Sequence, residues 1–281
     1  MAIREQVQTA LGTLPVAEKK IAHAFLANYP SIGLSTIAEL AALAGTSAPT
    51  VLRFVARLGF GSYPEFQRVL RSEVQAQLMS PLERARSSGP ATDNPALKAS
   101  FERISANLDA TLKAIPESEF EAACELLSDH KSTCYFIGGR FTDTIAAYMA
   151  AHLRIIRSNV RHFDGQTSTW RDQLLDVRPG DVVVFFDIRR YQSDLVRLGE
   201  LMVERKARIL LITDPWLSPI ARSARVVLPC VVDANRTWDS SVSLMALAEA
   251  LIDRVSRAQS DSARTRMQTL EDIHWNNLPG R

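Results

Sequence analysis

Three arginines fall in turns where an anion can be held. Arg140 stands in Gly138-Gly139-Arg140-Phe141-Thr142-Asp143, and Arg189 and Arg190 stand in Asp187-Ile188-Arg189-Arg190-Tyr191-Gln192. A guanidinium presents a planar fork of donors that suits carboxylate and phosphate alike. Gly138, Gly139 and Thr142 add backbone amides and a hydroxyl at the start of a helix, where free N–H groups and the helix dipole favour negative charge. Two further turns belong to the same side: Thr213-Asp214-Pro215-Trp216-Leu217-Ser218 and Arg236-Thr237-Trp238-Asp239-Ser240-Ser241. Trp216 and Trp238 either wall such a site or pack in the core, and Asp239 and Ser240 either meet the ligand or cap a helix. The plainer account of Arg189 and Arg190 is a solvated pair bonded to Asp187, Asp194 or Asp239, of the kind that contributes little.

A second cluster suits phosphates and base edges. Ser47, Ala48, Thr50, Arg53 and Arg57 share one short segment, with Lys19 and Lys20 upstream. Between residues 48 and 86 six arginines face three glutamates, a local positive excess that the whole chain, at net charge +2, does not have. Nucleic-acid binding must therefore rest on this local cluster. Chemistry of other kinds is poorly provided for. His152, His162 and Glu249 form no acid/base constellation, and Cys124, Cys134 and Cys230 are isolated thiols without metal-ligand spacing. Gly138-Gly139 is not a dinucleotide fingerprint. No cofactor, metal or catalytic residue is expected.

The elements that position these residues follow from apolar spacing. Over residues 1–78 the spacing is helical, with Ile3, Val7, Leu11 and Leu14 on one stripe. Residues 36–54 read as two helices joined by a tight turn. Ala41 is small where the helices cross, Gly45 supplies a positive φ, Ser47 can cap the second helix, and Pro49 is tolerated in its first turn. The capped end of such a helix is the end that enters a major groove. A plain helical hairpin with solvated arginines fits the same pattern.

Residues 79–96 are rich in turn formers and read as a linker. Residues 97–281 change regime, to short continuous apolar runs separated by amphipathic stretches. Cys134 to Ile137, Val160 to Phe163, Val182 to Phe186, Ile209 to Ile212 and Val226 to Leu228 suit strands buried on both faces. The expected fold is an all-α helix-turn-helix domain over 1–78 followed by a doubly wound α/β domain with a five-stranded parallel sheet. Ligands of such sheets bind beyond the carboxyl ends of the strands. A hydrophobic fraction of 46% and a charged fraction of 23% are those of a globular protein. No apolar run approaches the ~20 residues that span a bilayer, and the thiols and charged N-terminus fit a cytoplasmic protein.

Leu14-Pro15-Val16-Ala17-Glu18-Lys19-Lys20-Ile21-Ala22, Ile37-Ala38-Glu39-Leu40-Ala41, Thr50-Val51-Leu52-Arg53-Phe54 and Leu58-Gly59-Phe60-Gly61-Ser62-Tyr63-Pro64-Glu65-Phe66 occur in that order. Together they resemble the N-terminal domain of the RpiR family of regulators. Residues 108–255 are similar to the sugar isomerase (SIS) domain that these regulators carry. The resemblance implies a Gly-rich turn after the first strand and a Ser/Thr/Gly-rich loop after the third, both holding the phosphate of a sugar phosphate. Here the third loop carries arginines instead, which marks a branch with an altered phosphate loop and widens the expected effector to an anionic sugar-derived acid or phosphate. The chain is thus expected to regulate transcription of carbohydrate or sugar-acid metabolism. Its expected partners are operator DNA, that metabolite, and further copies of itself in a homodimer or homotetramer, with no membrane. A sugar-phosphate isomerase or aminosugar-phosphate deaminase is the alternative, and an oligomerisation module with a dead pocket is a third.

Overall fold

The structure is a computed structural model that describes residues 3–78, 81–87, 96–165, 167–233, 238–258 and 260–276. The chain divides into two compact units, Met1–Arg84 and Ala85–Arg281. Among the described residues no helix is long and apolar enough to cross a membrane.

Among its described residues the first unit holds helices joined by turns: α1 (Ile3–Ala10), α2 (Val16–Ala27), α3 (Ser31–Leu34), α4 (Ile37–Leu43), α5 (Ala48–Arg57) and α6 (Tyr63–Leu78), with α7 (Pro81–Ser87) beginning just before the division. Helix α7 occupies part of the segment expected to be a linker. The turn formers at 88–90 and 94–95 lie outside the described residues. The core is built from one stripe of each helix: Ile21 and Phe25 of α2, Leu40 and Ala41 of α4, Val51, Phe54 and Val55 of α5, Phe66 and Leu70 of α6. Phe25 and Phe66 meet with ring centroids 5.7 Å apart, a tilted contact that adds to the burial of both rings.

In the second unit α8 (Ala96–Ala114) and α9 (Glu117–Ser128) lead into β1 (Cys134–Gly138), α10 (Asp143–Ile156), β2 (Val160–His162), α11 (Thr167–Leu174), β3 (Val182–Asp187), α12 (Ser193–Glu204), β4 (Arg208–Thr213), β5 (Val226–Pro229), α13 (Val242–Ala258) and α14 (Ser260–Asn276). The five strands pair in the order β2-β1-β3-β4-β5, all parallel. Alternate residues of each strand supply two cores. Phe136, Val184, Phe186, Leu210 and Ile212 pack under α9, α10 and α13, whereas Tyr135, Ile137, Val183, Phe185 and Leu211 pack under α11 and α12. Continuous apolar runs are what a sheet covered on both faces requires. The chain leaves β1 toward β2 on one side and returns to β3 on the other, so the loops after β1 and β3 diverge at a topological switch point.

Arg157, just past α10, is fully buried. It donates to the carbonyls of Leu127, Asp129, Ser132 and Ser158 and to Cys134 Sγ. It thereby ties the end of α9 to the start of β1.

Candidate functional site

Helix α4 opens on a reciprocal cap. Thr36 Oγ1 accepts the Glu39 N–H at 3.2 Å, and the Glu39 carboxylate accepts the Thr36 N–H at 2.8 Å. The hydrogen bonds that the carboxylate accepts from the Thr36 N–H and the Thr36 hydroxyl hold it below its usual range. Gly45, at φ +59°, reverses the chain, a conformation that a side chain disfavours. Helix α5 follows with Pro49 in its first turn. Val51, Phe54 and Val55 bury one of its faces, and Ala48, Pro49, Leu52, Arg53 and Ala56 are exposed on the other.

Ser47 occupies the N-cap position of α5, but its side chain bonds no backbone amide. Its Oγ lies 2.9 Å from Thr50 Oγ1, to which Arg53 Nη2 donates at 3.1 Å. Thr50 is buried, so it turns inward and fixes Arg53 rather than facing a partner itself. Arg57 is committed elsewhere. Its Nε donates at 2.7 Å to Glu18 Oε2, a carboxylate buried on α2, while half of the arginine side chain stays exposed. The hydrogen bond to Glu18 raises the Arg57 pKa further. On the same helix Lys20 is exposed and Lys19 is partly buried.

In the second unit the loops after β1 and β3 are fastened together at the switch point. The Gly139 N–H donates to Phe186 O at 3.0 Å and to Thr142 Oγ1 at 2.8 Å, and Thr142 Oγ1 donates to Phe186 O at 2.6 Å. The Arg140 N–H donates to Gln192 Oε1 at 2.6 Å. A Cβ on Gly138 would stand 2.4 Å from the Asp143 amide nitrogen, so only glycine lets α10 start so close to the strand. Thr142 is buried. Among the residues expected to hold an anion, Gly138, Gly139 and Thr142 therefore build the frame.

Arg140 and Arg190 are exposed at the mouths of the two loops. The Arg140 guanidinium lies 5.2 Å from the Phe141 ring centroid, and Phe141 meets Trp238 edge-on at 5.6 Å. Arg189 has a different setting. Its side chain is 7% exposed, with Nε 3.3 Å from Asp239 Oδ1 and the guanidinium 4.3 Å above the Trp216 ring. The pairing with Asp239 weighed for this arginine is present, though in a nearly enclosed setting rather than a solvated one. Trp216 both packs against the core and walls the arginine. Ser240 is partly buried and donates its N–H to Val232 O at 2.9 Å. Arg236 and Thr237 lie outside the described residues.

Asp187 is buried behind this surface and accepts from Ser218 Oγ at 2.6 Å. Burial pushes its carboxyl up to about 7, against the Ser218 hydrogen bond and with a contribution from Asp214. Asp214 is the hub that residue spacing alone did not single out. Its carboxylate accepts from the Arg189 N–H at 2.6 Å, the Tyr191 O–H at 2.7 Å and the Trp216 N–H at 3.1 Å, and burial raises its pKa. The signal was Asp214-Pro215 directly after an apolar run, since an Asp in that place bonds nearby backbone amides.

His162 Nε2 lies 2.9 Å from Asp143 Oδ1, which also accepts the Gly138 N–H at 2.9 Å. The pair ties the ends of β1 and β2 to α10. His152 is exposed and lies 4.4 Å from the Tyr148 ring; the helix presents that residue outward, away from Leu153 and Ile156. Both rings line a hollow of about 350 Å³ with Glu249, Asp253 and Met267, between α10, α13 and α14. Its charged lining is acidic, the wrong sign for an anion.

The rpiR-family helix-turn-helix model matches residues 1–77, and the SIS domain model matches residues 126–254. The chain is 27% identical over 229 residues to the HTH-type transcriptional regulator HexR of Escherichia coli, covering 81% of this chain and 77% of that one. Its identity to HexR of Pseudomonas aeruginosa is also 27%, over 227 residues, 80% of this chain and 77% of the other. The sugar isomerase domain of an RpiR transcription factor from Sphaerobacter thermophilus superposes with a TM-score of 0.58 at 23% identity, over 63% of this chain and 98% of that one. The Vibrio vulnificus NanR protein complexed with ManNAc-6P superposes with a TM-score of 0.54 at 15% identity, over 99% and 100%. The helix-turn-helix of the first unit and the five-stranded parallel sheet of the second are thus those of known regulators, and the chain belongs to the RpiR family of transcriptional regulators.

Proposed function

We propose that this protein controls genes of carbohydrate or sugar-acid metabolism in the cytoplasm, binding operator DNA through α5 and sensing a small anionic sugar-derived metabolite at the carboxyl ends of β1 and β3. The observation that carries the sensing half is the Arg140 N–H to Gln192 hydrogen bond of 2.6 Å. It keeps the Arg140 loop beside the loop that bears Arg189 and Arg190, so guanidinium groups from both sides of the switch point can converge on one acid or phosphate. Gly138, Gly139 and Thr142 frame the site, Asp187 supports it from behind, Trp216 walls it, and Asp239 and Ser240 close it from the α13 side. The NanR relative was solved with ManNAc-6P, a sugar phosphate, which supports an anionic effector here.

At the DNA, Arg53 and the N-terminal turn of α5 meet the bases, with Lys19 and Lys20 on flanking phosphates. Two such helices must meet two half-sites about 34 Å or a multiple apart, so the protein acts as a homodimer or homotetramer, with the amphipathic α14 as its means of association. The reading makes it a binder rather than an isomerase or deaminase, in keeping with the two relatives named as regulators.

Thermal denaturation against a panel of sugar phosphates, sugar acids and dicarboxylates tests the sensor, because any ligand of the native state stabilises it. The expected result is an upward shift with one acid or phosphate, lost in Arg140→Ala and Arg190→Ala, and a changed operator affinity with the same compound. Failure of every anion to shift the transition overturns the sensing half.

A further inference from the structure

The outward face of α5 is mostly hydrocarbon. Ala48, Pro49, Leu52, Arg53 and Ala56 are exposed there, Leu52 keeps 46% of its surface accessible, and Arg57, half exposed and paired with Glu18, borders the face. At 100° per residue these five side chains span an arc of 140°, while Thr50, Val51, Phe54 and Val55 fill the opposite, buried arc. An amphipathic helix in a finished core turns its apolar stripe inward. Here a second apolar stripe points away, on the helix that the family match makes the recognition helix.

The hydrocarbon members of such a face cannot read bases by hydrogen bonding, which leaves Arg53 as the donor not paired to a carboxylate of its own unit. Ala48, Pro49 and Ala56 are small, so the helix backbone can approach a groove floor closely. Leu52 projects beyond them. The apolar mark in a major groove is the C5-methyl group of thymine, which distinguishes T·A from every other pair there. Arg53, held by the Ser47–Thr50 hydroxyl pair, supplies the one donor fork, whose usual base partner is guanine O6 and N7.

We infer that Leu52 is a specificity-determining residue that reads thymine methyl groups, so that each operator half-site carries at least one thymine under α5 next to the base pair met by Arg53. The inference rests on the DNA-binding reading above and narrows it to a base chemistry. Among the described residues, Leu52 is not part of the core of its own unit.

The test uses the full-length protein and a duplex selected from a random pool for tight binding. Each thymine of the selected half-site is replaced singly by deoxyuridine, which removes only the methyl group, and affinities are measured for wild type and for Leu52→Ala. The expected result is about a fourfold loss for wild type at one or more positions, which is what burial of one methyl-sized group contributes (~0.8 kcal/mol). Leu52→Ala should bind the thymine duplex several-fold more weakly and be indifferent to deoxyuridine at those positions. If wild type is indifferent at every position while Arg53→Ala still weakens binding to the selected duplex, the thymine inference is wrong and the DNA-binding reading stands. Equal sensitivity of both proteins to the same methyl also overturns it. If no sequence is enriched from the pool, the DNA-binding reading fails and takes this inference with it.

Discussion

Arg53 and Arg57 stand one helical turn apart on α5, yet only one of them has an inward obligation. Arg57 neutralises Glu18, whose side chain is 4% exposed; Arg53 rests on Thr50 at the surface. Arg57→Ala leaves a buried carboxylate without its partner, which costs ~1–3 kcal/mol, so the melting temperature of the first unit falls. Arg53→Ala should leave that temperature unchanged and weaken operator binding by ~1–3 kcal/mol. Thermal denaturation and operator titration of the two variants side by side separate the roles. At the other site Asp239 holds Arg189, and Asp239→Asn removes the internal carboxylate. The expected outcome is tighter binding of the anionic effector by calorimetric titration, with weaker binding contradicting the pairing as a competitor. The Arg189–Asp239 pair was one of three partners that the sequence offered for that arginine, but the Glu18–Arg57 pair was not legible, because the two are far apart in the chain and no local periodicity states which charge meets which. The inward turn of Thr50 was likewise hidden, because a hydroxyl near a cap looks the same whether it faces solvent or a neighbouring side chain.

The elements were far easier to read. Val182 to Phe186 is a run of five apolar residues, and every one of them is buried; only a strand covered on both sides uses such a run. The turn between α4 and α5 was equally plain, since Gly45 has φ +59° and nothing within 4 Å of its absent Cβ. Gly45→Ala should therefore act through backbone strain alone, destabilising the first unit by ~1–2 kcal/mol. What spacing could not supply is the anchor at Arg157. In sequence it is one more basic residue at a helix end, where a cation usually sits in water beside the last carbonyls. In the fold it is fully buried among four carbonyls and a thiol. Arg157→Ala removes every one of those donors at once, and a loss of several kcal/mol is expected. Chemical denaturation checks it; a loss below about 1 kcal/mol would mean that water replaces the guanidinium at little cost.

At the scale of the molecule, the two proposed functions lie in different compact units. Calorimetry should show the effector raising the transition of Ala85–Arg281, as ligands of a native state do. Protonation adds a second handle. Burial pushes the Asp187 carboxyl up to about 7, whereas an unfolded Asp titrates near 3.9. The folded state therefore holds a proton that the unfolded state has lost between those values, and stability contributed by this group is present below about pH 4 and declines up to about pH 7. Asp187→Asn keeps an acceptor for Ser218 and carries no charge, so its advantage over wild type should grow from pH 5 to pH 8 in thermal denaturation. An unchanged difference across that range would remove Asp187 from the pH response.

Sequence reading by α5 is tested by titrating wild type and Arg53→Ala with the selected operator and with a scrambled duplex over a series of salt concentrations. Wild type should prefer the operator by at least about a thousandfold, and Arg53→Ala should lose affinity mainly for the operator and little for the scrambled duplex. Equal affinity of wild type for both duplexes, falling steeply with salt in parallel, would contradict it.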